Sequence, residues 1–506
     1  MDKGLANFNL VVTWGVKEQI LNLELLLPEL SLLITAIAVI ILDLFTERKG
    51  LLTVVSIIGL TIAAGFAINM WGTTPQAIWN NMLAVDNYAL FFKLLFLGIA
   101  VLVILVSVDY VSKFTRFRGE YHALILLATL GMMLVAAATD LISIFVALEL
   151  AAIPFYVLVG FLKDKKSTEA SLKFVLLGGV ASAVLLFGMA LTFGFTGTTQ
   201  LPEIAQIIQV MNTESLLANP ALILGIILII AGFGFKIAAV PFHMWAPDVY
   251  EGAPTPITLY LSVGSKVAGF AVILRVFYSA FALPEPLSLD WGIIFAILSA
   301  ISMTLGNTVA IQQDNIKRML AYSSIAHAGY IIIGLAAIGL SPTTNILTQS
   351  SVLFYVVAFA LADLAAFTSV IVISGRLGSD QISDYAGMGK QAPLVALALT
   401  LGLISLIGLP ATAGFIAKFY IFSDAVNNGL LWLVIIAVIN STISAYYYLR
   451  VVKIMWVNEP IHEDKVPSSL ALRLALAISC FGILLLGIVP AFVMKLAEMA
   501  TSMFGL

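Results

Sequence analysis

The chain has 506 residues, of which 61% are hydrophobic and only 10% charged. A water-soluble domain carries about 25% charged residues, so lipid must solvate most of this surface. The net charge of −3 argues neither for nor against nucleic acid and no long basic block suggests a nucleic-acid patch, while the single cysteine, Cys480, excludes an intrachain disulfide, an iron–sulfur cluster or a zinc finger built from this chain alone.

A membrane-spanning helix needs about 20 apolar residues. Taken in order, the apolar runs predict spans at roughly 20–43, 51–71, 88–110, 121–138, 140–162, 168–195, 220–242, 256–282, 291–312, 316–338, 348–374, 392–423, 429–456 and 470–497. No cleavage pattern follows the first apolar run, so it is expected to be a retained helix. The expected fold is an all-α polytopic membrane protein of about fourteen helices, with 1–506 as a single integral membrane domain. The connections are short, and the longest is 196–219.

Basic residues alternate along the loops. Arg48 and Lys49 lie in the first, Lys113, Arg116 and Arg118 in the third, and Lys163, Lys165 and Lys166 in the fifth. Lys317 and Arg318 edge the ninth, Arg376 and Lys390 lie in the eleventh, and Lys465 in the thirteenth, whereas the even-numbered loops hold no Lys or Arg. Positive residues stay on the cytoplasmic side. The odd loops are therefore expected inside and both termini outside.

Ionisable residues inside spans cost about 2.5–3.5 kcal/mol each on the insertion scale and mark functional positions. Here they are Lys93, Glu149, Lys173, Lys236, Lys266, Asp363 and Lys418, with His327 as a residue suited to proton relay. Lys93 lies in the first turns of its span and reads as a snorkelling lysine. Lys173 follows Glu169 at i,i+4 spacing, which a plain helix ion pair would also explain. Glu149 has no basic residue in its own helix and needs a partner from another; no partner for Asp363 is legible. The four histidines, His122, His243, His327 and His462, are scattered, so a metal site finds no support. No Walker loop or strand-linked GxGxxG is present, so nucleotide binding finds none either.

Two spans carry helix breakers. Pro241, Pro247, Pro254 and Pro256 follow Lys236, and Gly408, Pro410 and Gly414 precede Lys418 in LISLIGLPATAGFIAKF. Proline removes a backbone donor and clashes with the preceding turn, so spans 7 and 12 should break within the membrane. Interruptions at matching places in two halves point to inverted repeats around a polar midplane site. Lys418 lies 182 residues after Lys236, and His327 lies 178 after Glu149. The expected repeats are 121–282 and 291–456, each of five helices.

The stretch FKIAAVPFHMWAPDVYEGAPTP, followed by LSVGSKVAGF, resembles the signature of the antiporter-like membrane subunits of respiratory complex I. The resemblance implies that Glu149 pairs with Lys236, and that Lys266 connects them to Lys418 as the terminal residue. Lys173 matches the family's lysine in span 6. Within the family, subunit M carries a glutamate where this chain has Lys418, and subunit L is longer, so the chain is most similar to the subunit N group. The resemblance implies one proton-pumping module, a translocase subunit without redox chemistry of its own. Flavin, iron–sulfur clusters, NADH and quinone are expected on other subunits, with no cofactor in this chain. The implied partners are the other membrane subunits, including subunit M and the small ones, besides lipid, water and protons. The implied location is the bacterial cytoplasmic membrane. An alternative is a subunit of a multisubunit cation/proton antiporter, or of a ferredoxin-, deazaflavin- or hydrogen-linked membrane complex. A purely structural scaffold would have no use for such costly charges.

Overall fold

The computed structural model describes residues 22–112, 117–210, 219–281, 285–340, 346–460 and 469–502. Lys113, Arg116, His462 and Lys465 lie outside them. Among the described residues, twelve helices are long and apolar enough to cross a membrane. They correspond to every predicted span except the seventh and twelfth. At those two places the apolar helices are shorter, Pro220–Lys236 and Pro393–Ile407, because each stops at its breaker.

In chain order the helices are α1 (Leu27–Phe45), α2 (Gly50–Asn69), α3 (Asn87–Ser112), α4 (Arg118–Ala137), α5 (Leu141–Val159) and α6 (Lys165–Thr196). Then follow α7 (Leu201–Val210), α8 (Pro220–Lys236), α9 (Trp245–Gly252), α10 (Thr255–Tyr260), α11 (Lys266–Ala280), α12 (Glu285–Ile311), α13 (Ile316–Gly339) and α14 (Ile346–Leu377). The short α15 (Met388–Gln391) leads into α16 (Pro393–Ile407), α17 (Ala413–Asn427), α18 (Leu431–Val457), α19 (Leu470–Ile488) and α20 (Ala491–Thr501).

Four local features depart from the expectation. Gln76–Ile78 pairs antiparallel with Leu83–Val85, a small hairpin in an otherwise helical chain. The long connection after α6 contains α7, whose Leu201, Ile204 and Ile208 are buried; their spacing of three and four is a helix stripe. The last span ends at Ile488 rather than running to 497, because Pro490 starts a separate helix. In the eighth span, a π-helical turn at Leu261–Ser265 joins α10 to α11 directly ahead of Lys266; such single turns widen a helix locally and recur at functional sites.

The core is the centre of the bundle. Over their most apolar stretches the eighth, tenth and eleventh spans are 94%, 89% and 89% buried, against 33% for Leu470–Ile488 at the rim. Those three central helices carry Lys266, His327 and Asp363. α12 and α13 approach closely at two glycines: a Cβ on Gly306 would stand 2.7 Å from the Ala326 nitrogen, and one on Gly329 would stand 2.8 Å from the Met303 nitrogen. Small residues let membrane helices pack backbone to backbone, and these two flank His327.

Candidate functional site

The first break positions Lys236. α8 ends at Lys236, Ala238 takes a positive φ of 56°, and α9 begins at Trp245. An interrupted helix leaves carbonyls without partners; here the Trp245 indole donates to the Phe235 carbonyl at 2.9 Å and the Ser302 hydroxyl accepts from the Val240 amide at 2.9 Å. Lys236 Nζ stands 3.6 Å from a Glu149 carboxylate oxygen, which also accepts from Ser182 at 2.5 Å. Asp140 caps the helix that carries Glu149, accepting from the Ile142 and Ser143 amides. An apolar-walled hollow lined by Met132, Leu148, Phe155 and Trp245 runs from Lys236 to Ser265, the residue before Lys266.

The π turn presents Ser262 and Lys266 to the bundle centre. Lys266 donates to Ser324, Ser262 donates to Asp363, and the two serine hydroxyls are 3.3 Å apart. The Lys266 ammonium also lies over the Tyr250 ring, 5.9 Å from its centroid. Asp363, without a legible partner in the sequence, is therefore tied to Lys266 through two hydroxyls, each able to donate and accept.

Three residues on, His327 Nδ1 lies 3.1 Å from the Tyr355 hydroxyl, and its ring packs on Tyr330 and Phe359. Tyr330 accepts from Asn307 at 3.2 Å, and Tyr447 donates to the same asparagine at 3.0 Å. Lys418 closes the row, 4.7 Å above the Tyr330 ring. The second break feeds it: Gly408 ends α16 at φ 87°, and Lys418 Nζ donates to the freed Leu406 and Ile407 carbonyls at 3.0 and 2.7 Å and to Ser441 at 2.8 Å.

Glu149, Lys236, Lys266, His327 and Lys418 thus form one interior row. Lys173 does not join it. Its side chain is 42% exposed, and its ammonium pairs with Glu169 and Asp248 at 2.8 Å each. Arg318 completes that surface cluster through Asp248 and Glu251. The helix pair seen in the sequence is real, and a second acid from α9 is added to it. Lys93 does not snorkel. It is 0% exposed and stands 2.6 Å from Glu29 of α1, because its helix runs through the interior and offers no short path to water.

Sequence reasoning missed three groups. Arg275 meets Asp86 with two hydrogen bonds of 2.9 Å, both side chains 1% exposed. The signal was present: ILRVF puts an arginine in an uninterrupted apolar run. Asp248 carried no signal, since it sits just past a break. Asp424, in the last turn of α17, accepts from Ser351 at 2.5 Å.

The family described as NADH:quinone oxidoreductase/Mrp antiporter, TM, matches residues 138–444. The chain belongs to that family. The family match spans every residue of the interior row. NADH-quinone oxidoreductase subunit N of Dehalococcoides mccartyi is 53% identical over 483 residues, covering 95% of this chain and 99% of the relative. The Trichlorobacter lovleyi protein of the same name is 45% identical, covering 96% and 98%. A chain of respiratory complex I from Thermus thermophilus, solved with bound aureothin, superposes with a TM-score of 0.78 at 32% identity, covering 93% of this chain and 99% of that one. The chain is an antiporter-like membrane subunit of this family, with many transmembrane helices.

Proposed function

We propose that this chain is one proton-conducting module of a redox-driven pump of the NADH:quinone oxidoreductase type. One observation carries the reading: the Glu149–Lys236 pair opens onto a polar row that ends at Lys418 beside the second break. The relatives' shared name supports the choice of complex. Flavin, iron–sulfur clusters, NADH and quinone then reside on other subunits, and this chain contributes no redox step. Subunit M and the small membrane subunits are its neighbours. The two breaks belong to inverted repeats over 121–282 and 291–456. The chain lies in the bacterial cytoplasmic membrane with both termini outside, supported by the alternation of basic loops.

Protons are collected at the inner surface by the Lys173–Asp248–Arg318 cluster and reach Lys236 or Lys266. A charge change in the neighbouring subunit draws Glu149 away from Lys236. The ammonium then loses its counter-ion in a low-dielectric setting and gives up its proton. The proton passes over Lys266, the serine pair and His327 toward Lys418. Each proton moved against the field costs about 2.3 kcal/mol per 100 mV, which distant quinone reduction supplies.

The test is the Lys236→Met complex, purified intact and reconstituted into vesicles. Lower coupled turnover and weaker vesicle acidification are expected. Full pumping and turnover in an assembled variant would refute the reading.

A further inference from the structure

The row to Lys418 has a branch at His327, and the branch leads toward a carboxylate. On α14, Asp363, Phe359, Tyr355 and Ser351 follow one another at four-residue spacing and so share one face. On α13, Ser324, His327 and Tyr330 follow at three-residue spacing. The two faces meet where the Phe359 ring packs 5.3 Å from the His327 ring and the Tyr355 hydroxyl stands 3.1 Å from Nδ1. Long side chains on a helix lean toward its N-terminus, so Tyr355 leans toward Ser351. That residue is four positions earlier, about 6 Å along the axis, so the route needs a bridging water between the two hydroxyls. Ser351 then donates to Asp424 Oδ2 at 2.5 Å.

Asp424 lies at the end of the bundle opposite the basic loops. α13 starts beside Lys317 and Arg318 and crosses to Gly339; α14 begins at that far end with Ser351 in its second turn. α16 starts just after Lys390, and its continuation past the break, α17, ends at Asn427. Asp424 is half-buried, with Ser423 and Asn427 exposed beside it. Among the described residues no basic side chain pairs with its carboxylate; Ser351 is its side-chain partner. A carboxylate held by a hydroxyl alone at the membrane boundary can accept a proton from that side and release it to water.

We propose that protons leave through His327, Tyr355 and Ser351 to Asp424, which releases them to the outer side. The assignment rests on the proton-translocating reading above. The chemistry is proton hopping without redox change. The imidazolium gives its Nδ1 proton to the Tyr355 hydroxyl as that hydroxyl passes its own to the bridging water, which hands one on to Ser351. Ser351 in turn protonates the Asp424 carboxylate, which releases the proton to bulk water. Each oxygen regains from one side what it gives on the other. Lys418, held by two carbonyls and a serine beside the Tyr330 ring, ends the other branch of the row.

The experiment uses the whole complex in vesicles, with Asp424→Asn, Asp424→Glu, Tyr355→Phe and, as a control on the broader reading, Lys266→Met. Asp424→Asn is expected to cut pumping and turnover by at least about tenfold, the scale of losing one positioned proton-transfer group. Asp424→Glu should stay within about twofold of the parent. Formate added on the outer side should restore turnover to Asp424→Asn beyond what an uncoupler gives, which a merely structural defect would not show. Normal pumping by assembled Asp424→Asn, with Lys266→Met blocked, overturns the exit assignment and leaves the broader reading standing. Normal pumping by both overturns the two together. Where Asp424→Asn fails to assemble, Tyr355→Phe, which removes one hydroxyl, decides: unchanged pumping overturns the route.

Discussion

Lys236 Nζ and the Glu149 carboxylate stand 3.6 Å apart, and Ser182 binds the same carboxylate oxygen at 2.5 Å. The longer contact to the ammonium and the shorter one to the hydroxyl describe a pair that the serine can hold while the lysine lets go. Glu149 retains 27% side-chain exposure and Lys236 only 10%. The carboxylate is the member open to a neighbouring charge, and the lysine is the member that depends on it.

Removing either partner should therefore cost the same step. Glu149→Gln and Lys236→Met are each expected to lower coupled turnover by roughly tenfold or more, and the double variant to be no worse than the weaker single, since residues acting as one unit are not additive. Vesicle acidification per electron pair, measured for all three, checks this. Additive losses would mean that the two act separately.

Gly408 guards the second break. It sits at φ 87°, and a Cβ there would stand 2.9 Å from Lys418 Cδ. Gly408→Ala strains the backbone by roughly 1–3 kcal/mol and presses on the lysine that the freed carbonyls hold. Reduced pumping in an assembled complex is expected, with Ser441→Ala milder because two carbonyl acceptors remain. Parallel proton-flux and assembly measurements separate the two effects.

Asp86→Asn leaves Arg275 buried beside a neutral amide, the situation in which breaking an interior pair costs about 3–5 kcal/mol. Loss of thermal stability or of assembly is the expected outcome. Pumping per electron in whatever complex survives should be normal, because the pair lies off the row. A double replacement, Asp86→Leu with Arg275→Met, should recover part of the stability. Thermal inactivation of the purified complex is the readout.

Lys93 and Glu29 allow the same distinction at a second buried pair. Lys93→Met strands a carboxylate that is 6% exposed, and destabilisation of about 3 kcal/mol or more is expected by the same argument. If Lys93 carried protons, pumping would fall while thermal stability held. The expected pattern is the reverse, and measuring both in one preparation decides it.

Hydropathy and breaker positions made the spans, the two interruptions and the positions of Glu149, Lys236, Lys266, His327 and Lys418 legible without coordinates. Lipid punishes a charge or a broken hydrogen bond wherever it falls along the chain, so a one-dimensional string records the offence directly. The partners were a different matter. Glu29 for Lys93, Asp86 for Arg275, and Ser324 and Asp363 for Lys266 come from distant segments, 189 residues away for Asp86. Rotation of one packed helix by a third of a turn would break each pairing while leaving hydropathy unchanged. The π turn ahead of Lys266 belongs here as well, because a one-residue shift in backbone hydrogen bonding changes which face a side chain shows without changing composition. The places where charges sit are a property of the sequence; which charges meet is decided by how the helices pack.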